Sequence, residues 1–397
     1  MNFIFISPQF PHTYYLWCDR LRRNGVNVLG IGDTPYDELS YELKSSLNEY
    51  YRVSNMENYD EVFRAVAFFS FKYGKIDWIE SNNEYWLEQD ARLRTDFNIT
   101  TGADTKQVQK YKFKSAMKKF YEDAGVPVAR YIKVTTLEKA LEFSSLVSYP
   151  VFAKPDNGVG ANGTFKIENR ADMEAFFEKK GDGPYIMEEF ITGDIYSYDA
   201  IVNSKLEPLF ESMTQWPPSI ADIVNRNLDL SYYTAADVIP ELRERGRATV
   251  KAFKVRQRFV HLEFFRLRKG KKGLGRKGDF IGLEVNMRPA GGYTPDMMNF
   301  AHSTDVYQIW ADMVCYDRRI LPESGKDHYC VFASRKDLHS YVHTHDEIME
   351  RYRDRMVMNE RVPDVLSAAM GNYLYTAHAD DEEMAKEFIS FIQERYD

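Results

Sequence analysis

Short apolar runs and amphipathic segments alternate through the first hundred residues, and this alternation restricts the fold more than any other feature. Residues 3–6 read as a buried strand, closed by Ser7-Pro8 and followed by an amphipathic stretch over 14–21. Asn24-Gly25 ends that helix, and 26–31 supplies a second strand. A helical period returns over 59–73, with Val62, Phe63, Val66 and Phe69 on one side, before a strand at 76–79. Strands that alternate with helices pack as a parallel sheet covered by helices. This α/β unit is expected to close near Thr101-Gly102.

Composition narrows what such a chain does. Its 397 residues carry 52 Lys+Arg against 60 Asp+Glu, a net charge of −8. That balance argues against a dedicated nucleic-acid binder, which needs a basic field. Cys18, Cys315 and Cys330 include no CxxC pair, so neither a disulfide framework nor a zinc site is expected, and a reducing cytoplasm suits them. The apolar run of four at residues 3–6 is too short for a signal-peptide core, and no long apolar stretch reads as a membrane span.

Beyond the first unit, residues 107–122 read as one Lys-rich amphipathic helix ending at Gly125, with Pro127 just past it. A helix over 137–146, strands at 151–153 and 164–167, a helix over 172–179 and strands at 185–191 and 196–202 follow. This irregular order suggests α+β from about 131 to 320. Residues 330–333 begin a further strand and 384–396 form a closing helix. Residues 214–236, with Trp216-Pro217-Pro218, read as a long loop of the kind that is usually functional or mobile.

Three segments carry chemistry. In the first, a strand delivers Lys154 into a loop containing Asn157, Gly158, Gly160, Gly163 and Thr164. Glycine lets backbone N–H groups approach an anion closely, and the lysine adds a point charge at the same place. The lysine precedes the glycines, so this is not a P-loop, and the dinucleotide spacing is also absent. In the second, 259–267 alternates with Val260, Leu262 and Phe264 on one face and His261 and Glu263 on the other. Residues 281–286 place Ile281, Leu283 and Val285 on an apolar face and Glu284 with Asn286 opposite. Hard oxygen donors on neighbouring strands suit Mg²⁺, which takes one or two carboxylates and completes its shell with phosphates and water. Arg288 lies two residues farther along and could neutralise a transferring phosphoryl group. In the third, the strand through Glu188, Glu189, Phe190 and Ile191 turns at Gly193-Asp194 and could line an adenine slot. The basic run 266–277 reads first as a solvated hairpin tip, and second as a lid over anionic groups.

In order, these pieces resemble the ATP-grasp superfamily: a lysine-bearing helix before AGVPVARY, then YPVFAKPDNGVGANGT, YIMEEFITGDIYSYDA, FVHLEFF and GLEVNMRPAGG. The first unit is similar to the domain that precedes this fold in carboxylate–amine ligases, with IDWIESNNEYWLEQDARLR as its last strand and helix. The resemblance implies an α/β domain over 1–105, a grasp lobe with linker helix over 106–195, a second lobe over 196–320 and a small C-terminal α/β subdomain over 321–397. It implies ATP held between two α+β lobes. Lys154 would meet the α-phosphate, the loop 157–164 the β- and γ-phosphates, Glu188 to Ile191 the adenine and Asp194 the ribose. Glu284 and Asn286, with Glu263 beside them, would hold Mg²⁺ or Mn²⁺, and Arg288 would stabilise the transition state. Spacing leaves Lys110 and Lys114 both open as the family's earlier lysine, with Lys110 preferred. The implied reaction converts a carboxylate and ATP to an acyl phosphate and ADP, followed by capture by an amine. Alternatives are a carbamoyl-phosphate-synthase-like step on bicarbonate and a non-catalytic nucleotide sensor. The loop 214–236 and Tyr293 are candidate acceptor-pocket elements, and His12, His261 and His302 candidate substrate contacts. A homodimer is the base-rate expectation for assembly.

Overall fold

Phe3, Ile4, Phe5 and Ile6 are all shut off from solvent, as a strand covered on both faces must be. In the computed structural model, which describes residues 1–158, 163–217, 223, 226–323 and 325–396, they form β1 (Asn2–Ile6). It lies between β2 (Asn27–Gly32) and β4 (Trp78–Glu80), and β3 (Glu49–Arg52) adds outside β2. All three pairings are parallel, as the alternation requires. The sheet is flanked by α1 (Tyr15–Arg23), α2 (Tyr41–Ser46), α3 (Tyr59–Tyr73) and α4 (Leu87–Asp96). β3 has no fully buried residue, so no apolar run announces it in the sequence.

The single helix expected over 107–122 is two: α5 (Gln109–Lys112) and α6 (Lys114–Asp123), separated by Phe113 in an extended conformation. Phe113 pairs with Asn157, and the Lys114 N–H donates to the Asp156 carbonyl at 2.9 Å. The Ser115 N–H and Oγ both donate to the Asp156 carboxylate at 2.7 Å. A carboxylate from a distant loop therefore satisfies donors that a helix start leaves open and sets its charge against the positive end of the dipole.

The small lobe follows, with β5 (Tyr131–Lys133), α7 (Leu137–Val147), β6 (Val151–Pro155), β7 (Phe165–Ile167), α8 (Arg170–Lys179) and β8 (Tyr185–Glu189). Its antiparallel sheet, ordered β5-β8-β6-β7, has its own core around Phe143, Val151, Phe176 and Met187.

An eight-stranded antiparallel sheet fills the rest. It contains β9 (Gly193–Val202), β10 (Pro208–Trp216), β11 (Ser231–Thr234), β12 (Arg258–Leu267), β13 (Phe280–Asn286), β14 (Tyr329–Arg335), β15 (Met356–Arg361) and β16 (Tyr373–Ala379). Their order is β13-β12-β9-β10-β11-β14-β16-β15. The boundary expected at 195/196 falls inside β9. The expected separate C-terminal subdomain is instead a continuation of this sheet, because β14 pairs with β11 along 231–234. The helices are α9 (Pro240–Phe253), α10 (Thr294–Ala301), α11 (Val306–Tyr316), α12 (His345–Tyr352), α13 (Asp364–Met370) and α14 (Glu382–Gln393). β10 and β11 occupy the two ends of the 214–236 segment, and residues 218–222, 224 and 225 lie outside the described residues.

The first domain is fastened to this sheet by α1 and α11, whose Trp17, Tyr307 and Trp310 pack with Phe259 of β12. Beside them Glu80 of β4 pairs with both Arg94 and Arg258 in a buried network. Among the described residues, no helix is long and apolar enough to cross a membrane.

Candidate functional site

Where α6 docks on the loop after β6, the first residue of the helix faces both lobes. Lys114 Nζ donates to the Gly158 carbonyl at 2.9 Å and lies 3.0 Å from Glu284 Oε1 on β13. One helical turn later Lys118 is buried, 2.6 Å from Glu188 Oε1. Lys154 on β6 reaches the other oxygen of Glu188 at 2.9 Å. Burial works against charge on Lys118, Lys154 and Glu188. The two lysines nevertheless hold the Glu188 carboxyl down at about 2. Burial also lowers Lys154, but Glu188 and Glu284 outweigh it and leave the amine above its usual value. Lys118 ends below its usual value, because burial dominates and Lys154 repels it.

Opposite stands the strand pair β12–β13, with Glu263 beside Glu284 and His261 beside Asn286 in the register. A bulge after Glu263 shifts the pairing there. Ile281 accordingly leaves the apolar face expected for it with Val285 and packs instead with Ala129, Ile191 and Leu274. Glu284 and Asn286 keep their shared face. Tyr121 of α6, fully buried, donates through its hydroxyl to the carbonyls of Glu284 (2.8 Å) and Glu263 (3.2 Å). Gly282 makes this possible, since a Cβ there would fall 2.6 Å from the Tyr121 ring.

Behind the acids runs a chain of polar groups. The Trp216 indole N–H donates to Ser197 Oγ at 3.0 Å, and that hydroxyl donates to Asp199. Asp199 Oδ1 lies 2.7 Å from His261 Nδ1, whose Nε2 is 3.1 Å from Glu263 Oε1. Burial alone would discharge the imidazole, but Asp199 and Glu263 raise it to about 9. Glu263 in turn stays below its usual value, burial being outweighed by His261. Two carboxylates and an amide shared between neighbouring strands fit the donor preference of Mg²⁺. Among the described residues, no group of three or more His, Cys, Asp or Glu side chains forms a metal cage. Such a site would need phosphate or water to complete it.

The remaining sequence candidates divide. Glu189 is buried, and Arg130 grips it from one side (Nη2 at 2.7 Å) and Lys271 from the other (3.1 Å). Its carboxylate is thus committed to ion pairs inside the protein. Lys271 also donates to the Phe190 carbonyl at 2.7 Å, and Arg268 to Asp194 at 2.9 Å. The basic run 266–277 is thus only in part a solvated tip: Lys269, Lys272, Arg276 and Lys277 are exposed, while Lys271 and Arg268 pin it to the bend between the lobes, where Ile191 is buried and Phe190 half-buried. Asn157 is exposed beside the α5–α6 break, and Gly158 accepts from Lys114. Gly163 has a positive φ of 70° on the way to Thr164, and Gly160 lies outside the described residues. Arg288 donates to the Pro289 carbonyl and lies 3.9 Å from Glu84.

Lys110, the preferred earlier lysine, is not brought here. The α5–α6 break turns it to Phe253, whose carbonyl its amine meets, while Lys114 takes the place in the cleft. His302 joins Ser212 and Asp327 elsewhere, and His12 packs edge-on against the buried Tyr293. The sequence reading missed Lys118, although four-residue spacing from Lys114 puts it on the same helix face. It also missed Glu84, a carboxylate from the first domain whose Oε2 is buried with no hydrogen-bond partner. Burial raises the Glu84 carboxyl against the opposing pull of Arg288 and Lys112. No local signal marked it.

Residues 109–216 match the family model of the ATP-grasp domain. This chain carries an ATP-grasp domain. Over 241 residues it is 25% identical to an L-arginine-specific L-amino acid ligase of Bacillus subtilis, covering 58% of this chain and 56% of that one. Over 102 residues it is 30% identical to D-alanine–D-alanine ligase B of Clostridium perfringens, covering 25% and 33% respectively. The chain thus spans about half or less of the length of these curated relatives. The ATP-grasp fold extends further than the sequence match. A crystal structure of an L-amino acid ligase from Bacillus licheniformis superposes with a TM-score of 0.71 at 14% identity, over 98% of this chain and 95% of that one. The biotin carboxylase domain of a Hydrogenobacter thermophilus 2-oxoglutarate carboxylase, in complex with MgADP, ADP and bicarbonate, gives 0.70 at 14% identity over 97% and 88%.

Proposed function

We propose that this protein is an ATP-dependent ligase that activates a small carboxylate, of amino-acid or peptide type, for attack by an amine. A carboxylate oxygen bonds to the γ-phosphorus as the bond to ADP breaks. The amine nitrogen then attacks the acyl carbon, phosphate leaves, and the nitrogen gives up a proton. The observation that carries this reading is the convergence of Lys114, Lys118 and Lys154 on a cleft whose far wall is Glu263, Glu284 and Asn286. Phosphoryl transfer asks a protein for positioning and charge neutralisation more than for covalent help, and these residues offer both.

In this reading Lys154 and Lys114 bind the phosphates, with Lys118 holding Glu188 when Lys154 turns to a phosphate oxygen. Backbone at 157–158 and 163–164 closes over the tail, and Phe190 and Ile191 border the base, with Asp194 near the ribose. Glu263, Glu284 and Asn286 would hold Mg²⁺, or Mn²⁺ in its place, which neutralises phosphate charge when bound. Arg288 faces the transferring group, and Glu84 offers to the ammonium of an amino substrate the oxygen that has no hydrogen bond. Cytoplasmic residence and a homodimer belong to the same proposal. A step on bicarbonate is the second reading, favoured by 21% identity over 199 residues to the carbamoyl phosphate synthase large chain of Thermomicrobium roseum.

The test is ADP release with ATP, Mg²⁺ and a panel of amino acids against ATP, bicarbonate and ammonia, in wild type and Glu284→Ala. Amino-acid-dependent release that Glu284→Ala abolishes supports the ligase. Release with bicarbonate alone transfers support to the second reading, and nucleotide binding without turnover on either panel points to a sensor.

A further inference from the structure

On the far side of α5 from the cleft lies a cavity of about 690 Å³ between the end of the first domain, the start of the linker and the large sheet. Five basic side chains line it (Arg94, Lys110, Lys254, Arg256 and Arg258) against one acid, Asp104. In a chain of net charge −8 that is a local reversal of sign. The two arginines of the floor share Glu80, and the buried Asp90 acts on both of them as well, so the floor is close to balanced and the excess of positive charge sits at the rim. Among the described residues, no carboxylate lies within ion-pair distance of Lys110, Lys254 or Arg256 at the rim. Asp104 accepts the backbone N–H groups of Lys106 (2.9 Å) and Gln107 (2.7 Å) on Oδ1, and its charge only partly offsets the repulsion felt by Lys110. Burial and the neighbouring Lys254 both disfavour charge on Lys110.

Two of the turns that shape the cavity are helix ends, with Asn98 just past α4 and Lys254 capping α9 in left-handed conformations (φ 53° and 52°). A volume of this size accommodates a small molecule. Basic side chains gathered at a rim with no carboxylate in ion-pair contact form a pre-formed receptor for a charge of opposite sign.

We propose that this cavity is a second ligand site, distinct from the ATP cleft, that binds a small multivalent anion bearing phosphate or several carboxylates. Lys110, Lys254 and Arg256 meet the anion, and Arg94 and Arg258 form its floor. The site has a route to the cleft, because Arg258 Nη1 donates to the carbonyl of Met287 at 2.8 Å, one residue before Arg288.

The experiment is calorimetric titration with sodium pyrophosphate and, separately, with sodium citrate, at ionic strength fixed by NaCl and with acetate as the monovalent control. Three proteins are compared: wild type, Lys154→Ala and the double variant Lys254→Gln/Arg256→Gln, whose altered residues are exposed. At least one probe is expected to bind wild type and Lys154→Ala alike, and about tenfold or more weaker to the double variant, as loss of charge-assisted contacts requires. Pyrophosphate alone binding indicates a phosphate-bearing ligand, and citrate alone a polycarboxylate. If Lys154→Ala does not fold, wild type saturated with a non-hydrolysable ATP analogue replaces it. Failure of both probes to bind that protein up to about 10 mM, or equal binding by the double variant, overturns the proposal. Neither outcome depends on turnover, so the ligase reading stands or falls separately.

Discussion

Lys118, Lys154 and Glu188 on one side of the cleft have side chains only 1%, 7% and 6% exposed, whereas Glu263 and Glu284 on the other keep 24% and 25%. The first group is a dry ion triplet whose members hold one another; the second is a half-wet acidic face. Desolvated charges are stable only with a partner, so the dry side holds its lysines against Glu188, and on the proposed function a phosphate would have to compete for them. The wet side stays accessible to a hydrated cation, which keeps several of its waters. On the proposed function, a cleft built this way would separate two tasks, with anion binding by exchange of partners and cation binding by direct entry.

Replacing groups on each side sharpens or breaks that contrast. The largest effect is expected on the wet side, where Glu284→Ala should lower ADP release by about 10²–10³-fold with little loss of stability. A melting temperature that falls as sharply as the activity would show Glu284 to be structural. On the dry side Glu188→Gln should act in the opposite sense, destabilising the fold by roughly 3–5 kcal/mol in urea melts because Lys118 is left buried with a neutral partner. That loss carries a pH signature. A carboxyl held at about 2 stabilises the fold above its unfolded value near 4.5, and the contribution fades as pH falls toward 2. The gap between wild type and Glu188→Gln should therefore be full at pH 7 and narrow progressively below about pH 4.5. A gap unchanged at pH 3 would mean the ion triplet is not its source. His261→Gln, which keeps a hydrogen-bond donor but loses the charge shared between Asp199 and Glu263, should weaken metal-dependent turnover by about 10–100-fold. Mn²⁺ binding followed by electron paramagnetic resonance should weaken with it. Lys110→Ala should change ADP release by less than about twofold, since its amine rests on Phe253; a loss matching that of Lys114→Ala would restore it to the cleft.

The parallel first domain was legible because Phe3 to Ile6 and Val28 to Ile31 are continuous buried runs, and a fully covered strand cannot hide its composition. The acidic strand pair was legible for a related reason: alternation assigns Glu263, Glu284 and Asn286 to one face whatever surrounds them. The α5–α6 break was not, because it is imposed by Asp156 more than forty residues away, and nothing at Phe113 interrupts the helical period. That hidden break exchanged Lys110 for Lys114. The commitment of Glu189 to Arg130 and Lys271 was equally unreadable, as it depends on where a basic loop folds back. The continuous eight-stranded sheet escaped notice because β14 and β11 pair across nearly one hundred residues.

Tyr121 ties the linker helix to both acidic strands through a single hydroxyl, while the small lobe keeps a core of its own. Helix and strands are thereby welded into one jaw that carries Lys114, Lys118, Glu263 and Glu284 together. The same helix is also held to the small lobe, by Asp156 and by the pair between Lys118 and Glu188. It is therefore a wedge gripped from both sides, and the spacing between Lys154 and the two acids is set by how that one helix is seated.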